Sequence, residues 1–169
     1  TLLTSLSLFS ANNAAGTTTI TPTSLDNVNA NVTLQANSDV IITNGWTNVR
    51  SGRTLTINAG RSVLINDNVG TTNALITITA NDSGATSANR STTTSGNPSG
   101  DNESVKGNIT MASGVSLSSG TGGITLIMGS STSAPFTPGS IGSSSTPIAT
   151  VTTGTLTITA NADGAYVSN

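Results

Sequence analysis

Short bursts of alternating apolar and polar residues recur along the chain, and one six-residue phrase accounts for most of them. It reads Val32-Thr33-Leu34-Gln35-Ala36-Asn37. It returns as Leu55-Thr56-Ile57-Asn58-Ala59-Gly60 and as Ile76-Thr77-Ile78-Thr79-Ala80-Asn81. Weaker copies begin at Ile109 and Ile124, and a strong one at Leu156. Apolar residues two apart point to one face of a strand, and the threonine between them points to the other. Val, Ile and Thr suit a pleated, half-buried surface. The sixth position is Asn or Gly in every copy. Those types enter positive φ most readily, so each copy is expected to end in a left-handed corner.

The spacing of the copies predicts a solenoid. Val32 to Leu55 is 23 residues and Leu55 to Ile76 is 21, each suited to one rung. The later gaps are 33, 15 and 32. Those of 33 and 32 fit a rung plus an inserted loop. The gap of 15 is too short for a rung, which leaves one of the copies at Ile109 and Ile124 misassigned. A second strand follows eight residues into the repeat, at Val40-Ile41-Ile42 and Val63-Leu64-Ile65. Trp46 and Val69 mark a third apolar point, fourteen residues in. Short strands separated by corners describe a parallel β-helix. Roughly six to eight rungs would make a rod of about 30–40 Å.

The remaining stretches are organised around this repeat as a single β-solenoid domain over 1–169. Residues 1–16 include Leu6-Ser7-Leu8-Phe9, which reads as a cap or as a donor strand for a neighbouring molecule. Residues 17–28 read as one more, irregular rung. Residues 83–107 and 129–147 are rich in Ser, Gly, Asn and Thr and are expected to be two loop excursions from the wall. A final strand pair is expected around Leu156 to Ile158 and Ala165 to Val167.

Composition narrows the chemistry. The chain has no Cys and no His, which removes disulfides, zinc sites and His- or Cys-based catalysis. Charged residues are 7% and aromatics 2%, with a net charge of −2, so nothing favours nucleic acid as a partner. No run of about 20 apolar residues is present to span a membrane.

The run from Val32 to Asp82 resembles the repeat region of filamentous-haemagglutinin-type adhesins, which are exported by two-partner secretion. It carries Leu-Thr-Ile-Asn-Ala-Gly-Arg-Ser-Val-Leu-Ile-Asn and Leu-Ile-Thr-Ile-Thr-Ala-Asn-Asp. The resemblance implies a right-handed parallel β-helix (β-solenoid) and a secreted or cell-surface location. No counterpart of the Asn-Pro-containing secretion motifs of that family's export domain is found. The resemblance is therefore to repeat shaft, covering about 50 residues well and the C-terminal strand pair in part.

Candidate chemistry is sparse. The acids Asp26, Asp39, Asp67, Asp82, Asp101, Glu103 and Asp163 are scattered. They read as solvated corner residues rather than the converging carboxylates of a polysaccharide-cleaving site. No catalytic residue, metal ligand or cofactor is expected, and the chain is not expected to be an enzyme. Gly120-Thr121-Gly122-Gly123 is too short for a phosphate loop and reads as a turn. Thr33, Thr56, Thr77, Thr110, Thr125 and Thr157 share one place in the phrase and form a candidate surface ladder. Such a ladder is similar to the ice-binding face of antifreeze solenoids, although Thr is also a good outward strand residue. Sequons make Asn81, Asn89 and Asn102 candidate glycosylation sites. Trp46 is expected to pack at the core or rung edge, with sugar stacking as the alternative.

The expected function is a structural shaft segment of a secreted filamentous adhesin. One alternative is a filament subunit joining head to tail, with Leu6, Leu8, Phe9, Tyr166 and Val167 as the end-to-end contact. The other is an ice- or carbohydrate-binding solenoid. Partners would be other copies, the rest of a longer chain, or host-cell and surface glycans. The C-terminal end shows no charged cap or helix and the N-terminal end carries the apolar Leu6-Ser7-Leu8-Phe9, so the expectation is either a chain that continues past Asn169 or head-to-tail joining.

Overall fold

The computed structural model describes residues 19–26, 28–85, 106–130, 137–161 and 163–169. Their strands follow one another round a coil, three to a turn. The first rung is β1 (Val32–Ala36), β2 (Val40–Ile42) and β3 (Trp46–Asn48). The second is β4 (Leu55–Ala59), β5 (Val63–Ile65) and β6 (Val69–Thr71). The third is β7 (Ile76–Ala80), β8 (Lys106–Met111) and β9 (Leu117–Gly120). The fourth is β10 (Ile124–Met128), β11 (Thr137–Ile141) and β12 (Ile148–Thr152). The fifth has β13 (Leu156–Thr159), a bridge from Ala165 to Ile141, and β14 (Val167–Ser168). The rungs stack into three parallel sheets, β1-β4-β7-β10-β13, β2-β5-β8-β11 and β3-β6-β9-β12-β14. The chain is a parallel β-helix, and its described residues form five rungs rather than six to eight.

The core runs up the middle in columns. Val32, Leu55, Ile76, Ile124 and Leu156 make one, and Leu34, Ile57, Ile78, Leu126 and Ile158 the next. The second sheet adds Val63, Ile109 and Ile141, and the third adds Trp46, Val69 and Leu117. Ile57, Ile78 and Leu126 are completely buried. Each such side chain stabilises the fold by about 1.5–3 kcal/mol.

Three expectations change. Residues 22–26 form a short helix, α1 (Pro22–Asp26), not an irregular rung. Proline at the first helical position brings a preset φ and no N–H to satisfy. The Ser24 N–H donates to the Thr21 carbonyl at 3.0 Å, closing the turn. Residues 137–141, placed in the second excursion, instead supply a strand of the fourth rung. Thr-Pro-Gly-Ser carries turn chemistry, but Pro138 sits on β11, the outer strand of its sheet, where a missing N–H is tolerated. The register shifts between Pro138 and Ile141. The first excursion likewise ends earlier than 107, because Lys106 already belongs to β8.

The third change concerns the corners. Of the six residues at the sixth position, Asn37, Gly60, Asn81, Gly114, Gly129 and Asn161, only Asn81 and Gly114 have positive φ, at 53° and 79°. The corner needs close approach more than a left-handed backbone. A Cβ on Gly60 would lie 2.0 Å from the Asn37 carbonyl oxygen, and one on Gly129 would lie 2.3 Å from that of Asn81. The asparagines supply hydrogen bonds between rungs, where the strand ladder is interrupted. Asn81 Nδ2 donates to the Gly129 carbonyl at 2.9 Å, and Asn161 Nδ2 to the Met128 carbonyl at 2.9 Å. At other corners the side-chain oxygens of Asn31, Asn68 and Asn73 accept the N–H of Thr54, Ser116 and Thr121, and at the register shift of β11 that of Asn108 accepts the Ser140 N–H, each one rung on. Backbone donors leaving a strand must find acceptors, and an Asx side chain is short enough to provide one locally.

Candidate functional site

The outer face of the first sheet carries the threonines. Thr33 lies opposite Thr56, Thr56 opposite Thr77, Thr77 opposite Thr125, and Thr125 opposite Thr157. One threonine thus faces outward from the same point of five successive rungs. Thr110 is not among them. Its phrase is the middle strand of the third rung, and Thr110 pairs with Leu64 on the second sheet. That resolves the gap of 15. The same in–out pattern is written into strands of two different sheets, and only rung spacing separates them.

The next outward column on this face is Gln35, Asn58, Thr79, Ile127 and Thr159. Neither column holds an ionisable side chain. Thr33 and Thr157 are exposed and the three between them half-buried. None of the five hydroxyls in the first column hydrogen-bonds to the protein among the described residues. Hydroxyls on the third sheet and at the corner after it behave differently. Thr71 Oγ1 donates to the Ala74 carbonyl at 2.5 Å and Ser119 Oγ to the Gly122 carbonyl at 2.7 Å. Thr150 Oγ1 donates to the Ser168 carbonyl at 2.9 Å. An open depression of about 410 Å³ lies beside this corner, lined by Asn73, Gly120, Thr121, Val151, Thr153 and Asn169 among others. None of the side chains that line it is ionisable or aromatic.

No family model, characterised protein or solved structure matches the chain.

The two ends of the stack differ. At the first rung Leu25 and Val28 pack against the core, and Trp46 Nε1 donates to Asp26 Oδ1 at 3.0 Å. Trp46 is accordingly a buried core residue with α1 tied to its polar edge. At the fifth rung Ile158 is 40% exposed and Tyr166 45%, although Ile78 in the column of Ile158 is fully buried. Val167 is half-buried beside Ile148. Tyr166, Val167 and Ile158 thus lie on the same end rung. Leu6, Leu8 and Phe9, the other half of the expected contact, lie outside the described residues.

The acids are less solvated than expected. Asp39 forms a buried ion pair with Arg61, whose side chain is 0% exposed against 4% for Asp39. Arg61 Nε lies 2.8 Å from Asp39 Oδ1, which also accepts the Ser62 N–H at 3.0 Å. The signal was available, because 22 residues separate the two and one rung is 21 to 23. Asp67 accepts the N–H of Gly45 and of Asn68, and Asp82 that of Gly84. Asp163 pairs with Lys106 at 2.5 Å on the surface. Among the described residues no three His, Cys, Asp or Glu side chains gather to hold a metal ion. Nor is any described helix long and apolar enough to cross a membrane. Asp101 and Glu103 lie outside the described residues.

Of the candidate glycosylation sites, Asn81 is fully buried, and the nitrogen a glycan would use is bonded to Gly129. Asn81 is a corner residue rather than an acceptor site. Asn89 and Asn102 lie outside the described residues.

Proposed function

We propose that the chain is a shaft segment of a secreted or cell-surface filamentous adhesin, of the filamentous-haemagglutinin type. One observation carries this reading. The first sheet keeps residue-for-residue register from β4 through β7 to β10, although Leu55 to Ile76 is 21 residues and Ile76 to Ile124 is 48. Extra chain between strands leaves the wall unchanged. A wall that repeats while insertions vary supplies length and stiffness, with the insertions free to carry contacts to cells or surface glycans.

Exposed Ile158 and Tyr166 on the last rung favour a second reading, a subunit that joins other copies end to end. Against it, a copy stacking on the first rung would have to displace Leu25 and Val28 from the core. The shaft reading is therefore preferred. Negative-stain microscopy and sedimentation of the purified chain test it. Single short rods that are not retained on cells or glycans are expected. Fibres would establish the filament subunit instead, and cell binding by the bare chain would make it an adhesive tip.

A further inference from the structure

The threonine column is more uniform than the fold requires. Inward columns interchange aliphatic residues: Val32, Leu55, Ile76, Ile124 and Leu156 share one, and Leu34, Ile57, Ile78, Leu126 and Ile158 the next. The neighbouring outward column holds Gln, Asn, Thr, Ile and Thr. Strand propensity and methyl packing along a ladder would accept Val or Ile as readily as Thr. What Thr adds is a hydroxyl. Among the described residues the protein bonds the hydroxyls of Thr71, Ser119 and Thr150, but none of these five. Five hydroxyls that folding does not use are thus held one rung apart, about 4.8 Å, each beside a methyl group.

We propose that this face binds the ordered water of an ice surface. A matching ligand must be uncharged, because neither outward column is ionisable. It must repeat at the rung spacing. It must donate and accept, as each hydroxyl does, and it must lie against methyl groups. Hexagonal ice meets all four conditions: every oxygen both donates and accepts, and the repeat along the a axis is close to one rung. The stacked backbone and the stiff χ1 of threonine fix the array beforehand, so little side-chain entropy is lost on binding. Other occupants fit less well. A crystalline polysaccharide is gripped by exposed aromatic rings, and the two columns offer none. A second copy packed face to face would leave the hydroxyls and amides to be desolvated, with Leu75 and Ile127 as the main apolar contacts.

The site is independent of the shaft reading, which stands whether or not ice is bound. Thermal hysteresis and ice-crystal shaping of the purified full chain test it. Thr77→Lys places a long charge at the middle of the column, and Thr47→Lys does the same on the outer face of the third sheet. Far-ultraviolet circular dichroism checks that both variants fold. Ice shaping and hysteresis are expected from the parent chain and from Thr47→Lys, with loss in Thr77→Lys. Absence of both effects in the folded parent chain overturns the proposal, as does equal loss in the two variants. Retention on crystalline cellulose or chitin that Thr77→Lys abolishes would assign the face to polysaccharide instead. A dimer that Thr77→Lys dissociates would assign it to a second copy. Either result also overturns the ice site.

Discussion

At the scale of single residues, neighbours on one strand face opposite environments. Ile78 is fully buried opposite Ile57, and Thr77 faces outward. Ile78→Asp would put a carboxylate among apolar side chains and should cost about 3–5 kcal/mol. Thr77→Asp should cost under about 1 kcal/mol. Urea melts of the two variants check this, and equal losses would mean that the in–out register is wrong. Asp39 gives a second contrast. Asp39→Asn removes the carboxylate from a buried guanidinium and should cost about 3–5 kcal/mol. Replacing Asp39 and Arg61 together by apolar residues of similar volume should cost less, because the double change leaves no buried charge. A double-mutant cycle by denaturant melts measures the coupling. The core partners were legible in the alternation of apolar and polar residues. The ion pair was not, because with only seven acids and five bases the charges show no repeat of their own. Only their separation by one rung connects them.

Elements were legible where the phrase is regular and obscured where local chemistry competes with stacking. The strands of the first two rungs stand where the pattern put them. The helix at Pro22 to Asp26 and the strand at Thr137 to Ile141 do not, since proline signals both the start of a helix and a turn. The residue types of the sixth column favour a left-handed backbone, which Asn81 and Gly114 adopt, but at Gly60 and Gly129 the constraint is contact between rungs. Gly60→Ala should therefore destabilise by about 1–3 kcal/mol, as overpacking does, since its new Cβ must push against the Asn37 carbonyl. Thermal melts against the parent check this, and an unchanged midpoint would mean that the corner has slack. The bridging asparagines belong to the same scale. Asn108→Ala leaves the Ser140 N–H, now 2.9 Å from Asn108 Oδ1, to find water or go unbonded. It should cost about 0.5–1.5 kcal/mol by the same measurement.

For the whole molecule the central claim is its register: five rungs stacked in parallel, with the Ile109 phrase on a different sheet from the other copies. Sequence spacing placed the first two rungs and the opening strand of the third and left the rest open, because insertions make the interval from Ile76 to Ile124 about twice an ordinary rung. Shape follows from register, since in-register stacking of a closed coil builds a rod with a continuous apolar centre and leaves the outer faces to accumulate columns. The most direct test uses the absence of cysteine from the chain, which lets pairs be introduced without competition. Thr77→Cys with Thr125→Cys joins positions 48 residues apart in sequence, on neighbouring rungs of one sheet and about 4.8 Å apart. Thr77→Cys with Thr110→Cys joins positions 33 apart, on different sheets. A short thiol-specific cross-linker followed by mass spectrometry is expected to bridge the first pair in nearly every molecule and to leave the second unbridged. Bridging of the second pair in preference to the first would contradict the register and, with it, the solenoid described here.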